Sequence, residues 1–252
     1  MAPRLDILRR YFDQRVVELR TSAAGQVPEE VIVFETVGSI SNFIEAAKRV
    51  PGFDFMAEWD AEDIAPDNDF SDARDATKPL SGRLFLVMAN QQALGQLLSL
   101  WTRFQSGRRM APGYAPFTEL FKHLTDVRRW SVKDRLLETG VDQYWREASS
   151  AHDDTLVPFE IELWFRELPQ ARAESVDRIR RMVTQLQGQV VSLCELAPIC
   201  YHAAVASLPA SQVRRLVDRQ ENALLGESAI MFFRPSGQSV MPSYAQSDLQ
   251  AP

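Results

Sequence analysis

Apolar residues recur at two different periods along the chain, and the switches between them mark out the elements. Leu5, Leu8, Phe12, Val16 and Leu19 stand three or four apart and predict a helix over the first twenty residues. The segment 22–30 is small, polar and proline-punctuated, so it reads as a linker. VIVFETV (Val31–Val37) is β-branched and aromatic and predicts a strand closed by Gly38-Ser39. Ile40, Phe43, Ile44, Ala47 and Val50 return to helical spacing, ended by Pro51-Gly52. Phe53 to Trp59 alternates as a strand does, and RLFLVMA (Arg83–Ala89) predicts another. Asn90 is a good N-cap for a helix carrying Leu94, Leu97, Leu98, Trp101 and Phe104. Between Pro112 and Ser150 only helical offsets are legible: Phe117, Leu120, Phe121 and Leu124, then 131–138, then 141–148. Trp130, Tyr144 and Trp145 are expected to anchor these helices to the sheet layers.

The C-terminal pattern is clearer. PFEIELWF (Pro158–Phe165) sets Phe159, Ile161, Leu163 and Phe165 against Glu160, Glu162 and Trp164, as a half-buried strand does. Val176, Ile179, Val183 and Leu186 form a helical stripe stopped by Gly188. QVVSLCEL (Gln189–Leu196) and YHAAVASL (Tyr201–Leu208) read as strands joined by a turn at Pro198. Pro209 opens a short helix with Val213, Leu216 and Val217, and AIMFF (Ala229–Phe233) is the last strand. The order β-α-β-β-α-β is ferredoxin-like.

The fold class expected is therefore α+β, with two α/β sandwich units. The C-terminal unit is ferredoxin-like; the N-terminal one is either a diverged copy with extra helices or a βα-rich segment giving the same offsets by chance. The domains expected are an N-terminal helix (1–26), an α/β domain (27–150) with an acidic loop (54–78) and a helical segment (112–150), the ferredoxin-like domain (155–235), and a C-terminal tail (236–252).

Composition narrows the class. At 252 residues the chain has room for about two domains at ~150 residues each. Eleven Gly, 14 Pro and 2 Cys exclude collagen-like and disulfide-scaffold proteins. The net charge of −6 is local: from Asp54 to Lys78 nine acids oppose two bases, giving −7, so the other 227 residues carry +1. A nearly neutral body offers no broad cationic footprint, so neither nucleic acid nor an anionic membrane is an expected partner. No apolar run reaches ~18 residues, and the start lacks the apolar core of a secretory signal. With Cys194 and Cys200 its two cysteines, the chain is expected to be cytoplasmic.

Catalytic chemistry finds little support. Of three histidines, His202 alternates with apolar residues on a strand and reads as structural, while His123 and His152 read as solvated. No G-x-S-x-G elbow, phosphate cradle or G-x-G-x-x-G occurs. Cys194 and Cys200 lack a second Cys/His pair for a tetrahedral metal site and are expected to be buried thiols. Asp67-x-Asp69-x-Ser71 begins like a calcium loop, but Asp72 holds the glycine position and Lys78 the bidentate-Glu position. No cofactor, no metal and no catalytic residue is expected, and the chain is not expected to be an enzyme.

Four phrases, VIVFETVGSISNFIEAAKRVPGFDF, LSGRLFLVMANQQALGQLLSLW, FEIELWFRE and AIMFFRPSGQ, resemble the N-terminal region of a group of bacterial subtilisin-like serine peptidases. The resemblance covers roughly Val31 to Gln238. In such proteins a subtilisin domain follows this region, but its Asp-x-Gly, His-Gly and Gly-Thr-Ser-x-Ala motifs do not occur between Met1 and Pro252, so no residue inherits peptidase activity. Subtilisin propeptides resemble the β-α-β-β-α-β order read above. The resemblance therefore implies a non-catalytic regulatory prodomain, chaperone and inhibitor of a subtilisin-like catalytic domain in cis or in trans. Its sheet would pack on that domain through Glu160, Glu162 and Trp164, whose carboxylates could cap helix N-termini. Its tail, from Arg234 through Pro235, Ser236, Gly237 and Gln238, would lie in the substrate cleft by strand addition. The alternatives are an assembly module that uses residues 31–150 to hold a partner or to oligomerise, or a ligand-sensing domain.

Overall fold

The computed structural model describes residues 29–137, 139–150, 152–218 and 223–236. The expected N-terminal helix, and 237–252 of the expected tail, lie outside the described residues. In chain order the first elements are β1 (Glu30–Val37), α1 (Phe43–Ala47), β2 (Phe53–Ile64), β3 (Leu80–Ala89), α2 (Gln91–Gln105), α3 (Ala115–His123), β4 (Leu124–Arg129) and α4 (Val132–Leu136). Next come α5 (Val141–Ala148), β5 (Leu156–Leu163), α6 (Pro169–Gln185), β6 (Gln189–Leu196), a 3-10 turn (Ala197–Ile199), β7 (Tyr201–Pro209), α7 (Ala210–Val217), α8 (Ala223–Gly226) and β8 (Ile230–Pro235). The fold is α+β, with two four-stranded antiparallel sheets ordered β2-β3-β1-β4 and β6-β7-β5-β8. Counted from β5, the second sheet repeats the first strand for strand.

The chain divides into two compact units. The first holds the described residues up to Arg135 with Trp164–Ser175 and Gly226–Met231; the second holds Leu136–Leu163, Val176–Leu225 and the described residues from Phe232 on. Helix α5 thus belongs to the second unit.

In the first unit the core grows around Phe43 on α1, whose ring lies 4.8 Å from Phe85, 5.4 Å from Phe117 and 6.0 Å from Phe34. Asn90 caps α2 as its sequence position predicts, its side chain accepting from the Ala93 N–H at 3.0 Å. Two expectations are corrected. The stretch 112–150, expected to be wholly helical, contains β4. Its sequence LTDVRR places Leu124 and Val127 three apart, a helical offset that continues the Phe117–Leu124 stripe, and its pairing with β1 shifts register between Glu35 and Thr36. The first sheet therefore has a fourth strand for which the sequence pattern gives no signal. The acidic loop is also shorter than 54–78, because β2 runs on to Ile64. Arg83 on β3, opposite Asp60, pairs with Asp60 and lies 3.4 Å from Glu58, while Arg166 holds Asp54 and Glu29 at 2.7 Å. These cations allow an acidic segment to stay in a ladder. Beyond β2, Asp67, Asp72 and Asp75 accept backbone N–H groups two or three residues on, forming Asx turns.

Glu35 on β1 stands directly opposite Asp126 on β4. Burial, and then the Asp126 charge, hold its carboxyl above the ordinary 4.5, against the opposing pull of Arg128. A carboxyl whose folded value is raised stabilises the fold below its ordinary value and loses that contribution as pH rises through the raised one. Glu35→Gln is therefore expected to gain on the wild type between pH 4 and pH 7, read by urea unfolding at each pH. A stability of Glu35→Gln minus that of the wild type that stays constant or falls as pH rises over that range contradicts the assignment.

In the second unit α5, α6 and α7 cover one face of the β6-β7-β5-β8 sheet with Val157, Phe159, Ile161, Leu163, Ile179, Val183, Val213 and Leu216, all buried. His202 on β7 is buried as well. The even-numbered residues of β7 are all buried, while on its odd-numbered face Ala203 and Ser207 are buried and Tyr201 and Val205 half-buried.

Candidate functional site

The residues singled out in the sequence separate into three groups. Glu160 and Glu162 on β5 and Arg234 on β8 do come together: the Arg234 guanidinium donates to Glu162 at 2.7 Å and stands 4.0 Å from Glu160, while resting 4.9 Å over the Phe232 ring. The Tyr201 hydroxyl joins them. Burial, then its hydrogen bond to Glu160, then the charges of Glu160 and Glu162 push its pKa well above the ordinary tyrosine range. Both carboxylates are thus engaged within the sheet. Glu162, with a side chain only 13% exposed, is not free to cap a partner's helix, and that expectation is corrected.

Trp164 is corrected too. Strand alternation places it with Glu160 and Glu162 on the face away from the core, but it is 2% exposed. β5 ends at Leu163, so Trp164 leaves the strand alternation; its N–H donates to the Ala229 carbonyl at 3.0 Å. In the first unit its ring joins Trp59 at 6.3 Å and Trp130 at 5.7 Å. Two-residue periodicity predicts a side chain's face only while the strand lasts. Of the expected tail, Arg234 and Pro235 are the last residues of β8 and Ser236 follows it, whereas Gly237 and Gln238 lie outside the described residues.

A different surface emerges at β6, one that sequence reasoning missed. Among the described residues β6 is an end strand of its sheet, and every residue from Val191 to Leu196 is exposed, as are the four that follow. Val191 is 60% exposed, Leu193 45%, Leu196 47% and Ile199 69%, which places four of the seven large exposed hydrophobic side chains among the described residues within nine positions. Cys194 and Cys200, expected to be buried, are exposed on the same segment. Pairing shows why both faces are affected. Leu193 lies opposite Ala204, on the helix-covered face, while Cys194 and Leu196 lie opposite Ala203 and Tyr201 on the other; Val191 is an extra residue, a bulge between Val190 and Ser192.

End strands offer unpaired N–H and C=O groups to any passing strand, and proteins ordinarily guard them with charge or proline. Three end strands here are guarded. β2 carries Asp54, Glu58, Asp60, Glu62 and Asp63, β4 carries Asp126, Arg128 and Arg129, and β8 ends in Arg234-Pro235. β6, QVVSLCEL, carries Glu195 alone. The sequence gives its composition plainly; that it lies at the edge depends on strand order, which no local pattern encodes. The arrangement can take an extended polypeptide by backbone pairing, with apolar side chains adding contact on either face.

Among the described residues no group of three or more His, Cys, Asp and Glu is placed to hold a metal ion, and no helix is long and apolar enough to cross a membrane. No protein-family model matches the chain, and no curated protein is detectably similar to it.

Proposed function

We propose that the chain is a non-catalytic protein-binding module that acts as a regulatory prodomain, chaperone and inhibitor of a subtilisin-like serine peptidase, in cis or in trans, within the cytoplasm. The mostly apolar strand β6 is the observation that carries the binding role: of the four end strands among the described residues, it is the one with a single charged residue and no proline. The prodomain role is supported by the resemblance of the phrases between Val31 and Gln238 and by the β-α-β-β-α-β order of the second unit. The binding element is moved from Glu160, Glu162 and Trp164, which are engaged or buried, to the β6 edge. A peptidase offers extended backbone along its substrate cleft, and such backbone is what an open edge accepts.

The test is inhibition of a purified bacterial subtilisin hydrolysing a fluorogenic peptide. The full chain is expected to inhibit at micromolar concentration or below, and Leu193→Lys, which charges the exposed edge without touching the core, to weaken inhibition at least tenfold. Absence of inhibition at micromolar concentration overturns the peptidase reading. Equal inhibition by wild type and Leu193→Lys overturns β6 as the binding element.

A further inference from the structure

We infer that β6 pairs antiparallel with β6 of a second copy of this chain, joining two four-stranded sheets across a two-fold axis that passes through Cys194. The inference rests on the reading of β6 as an open pairing edge and names the occupant it takes when no other strand is offered.

The strand's own geometry selects the pairing. In a continuous sheet, residues directly opposite one another project from the same face, so a two-fold pairing must match face to face. Beyond the Val191 bulge, Ser192, Cys194 and Leu196 share one face and Leu193 and Glu195 the other, as their partners on β7 require. An axis through Cys194 sets Ser192 against Leu196, Leu193 against Glu195 and Cys194 against its own copy. It uses all five regularly paired residues, 192–196, in both chains. An axis through Glu195 would place two carboxylates opposite each other, which is destabilising. An axis through Leu193 would bring the Val191 bulge against Glu195, where the ladder is disrupted. The Cys194 register keeps the bulge outside the regularly paired residues and leaves no like charges opposed.

The extent of the surface sets its strength. Residues 189–200 are twelve, against roughly twenty to thirty per side in a standard stable interface. The pairing is accordingly a reversible dimer forming at micromolar concentration. The open edge is also the edge that would receive a peptidase segment, so self-pairing and partner binding exclude each other at β6. The dimer keeps the apolar edge covered until a partner competes for it.

The register has a covalent signature. On the axis, two exposed thiols face each other across neighbouring strands, where Cα atoms stand about 4.5–5.5 Å apart, within disulfide range. Diamide removes the two thiol hydrogens, is itself reduced to the hydrazine, and leaves the S–S bond. The full chain is therefore examined by analytical ultracentrifugation from about 1 to 200 μM and, after diamide, on non-reducing gels, as wild type, Leu193→Lys, Cys194→Ser and Cys200→Ser. The expected result is a concentration-dependent dimer lost in Leu193→Lys, with an oxidised dimer band that persists in Cys200→Ser and disappears in Cys194→Ser. A monomer throughout, a dimer surviving in Leu193→Lys, or a dimer that does not cross-link through Cys194 overturns the pairing. If the chain stays monomeric yet inhibits subtilisin in a Leu193-dependent way, the self-pairing fails while the proposed binding edge stands. A Leu193-dependent dimer without inhibition has the opposite meaning.

Discussion

Trp145→Ala is expected to destabilise the protein by about 3–5 kcal/mol, the range for truncating a fully buried large aromatic residue. Trp145 on α5 has no exposed surface, and its ring meets Phe159 of β5 edge-on at 5.2 Å and Phe233 of β8 at 5.4 Å. Removing it empties the space between one helix and two neighbouring strands, and Phe159 and Phe233, themselves 6.2 Å apart, lose their common partner. The indole carries a second term of opposite sign. Its Nε1–H is buried and finds no acceptor among the described residues, and a buried donor without a partner costs about 1–3 kcal/mol. Trp145→Phe keeps an aromatic ring in the same place and removes that donor, so its loss is expected to be under about 1.5 kcal/mol. Urea unfolding followed by circular dichroism separates the two: a steep loss for Ala beside a small one for Phe supports the packing role. A loss below about 1 kcal/mol for Ala would show that the site collapses around the vacancy.

Trp145 also shows how far the sequence carries. Its helix is legible to the residue, Val141–Ala148, because apolar and charged positions alternate at helical period and Gly140 opens it. Its role as an anchor to a sheet is legible as well, since a tryptophan in a charged helix has to bury its ring somewhere. Which unit it anchors is not legible, because that depends on contacts with β5 and β8, which lie far along the chain. The same division explains the other departures. Hydrophobic period finds β1, β3, β5, β6 and β7 almost to their ends. It misses β4, where two apolar residues three apart mimic a helix, and it misplaces Trp164, where alternation continues in sequence after the strand has stopped. The β6 edge is the extreme case: QVVSLCEL has the composition of an interior strand, and only the order β6-β7-β5-β8 leaves it at the margin. Conversely, Glu160 and Glu162 look free on paper because Arg234, their partner, arrives from more than seventy residues away.

Gly188→Ala is expected to cost about 1–3 kcal/mol, as forced overpacking does, for a reason the sequence disguises. A glycine after a helical stripe reads as the left-handed residue that ends the helix, and Gly188 fits that reading on paper. In the structure the left-handed residue is its neighbour: Gln187 has φ 61, while the Gly188 N–H donates to the Val183 carbonyl at 2.9 Å. What Gly188 supplies is the absence of a side chain. A Cβ there would lie 2.4 Å from the Ser207 carbonyl oxygen, 2.3 Å from Leu208 Cδ2 and 3.1 Å from Val183 Cγ1. The leucine tip can turn aside, but the carbonyl belongs to β7 at the point where Gln189 pairs with Ser207 and β6 begins. An added methyl therefore separates the two strands at their first pair. Gln187→Gly supplies the contrast. It relieves a left-handed conformation that costs a side-chain-bearing residue about 1–2 kcal/mol, while loosening the unfolded chain by about 0.4–1 kcal/mol. The net change is expected to be neutral or slightly stabilising. The two substitutions, one residue apart, should thus differ in sign or nearly so in urea unfolding. Hydrogen exchange should localise the Gly188→Ala loss to β6 amides, with faster exchange from Gln189 onward. If Gly188→Ala is silent and Gln187→Gly is the costly change, the close approach of β6 to β7 is not what holds the edge strand in place. The proposed self-pairing and the proposed inhibition should weaken together with that approach, since both need β6 held flat against β7.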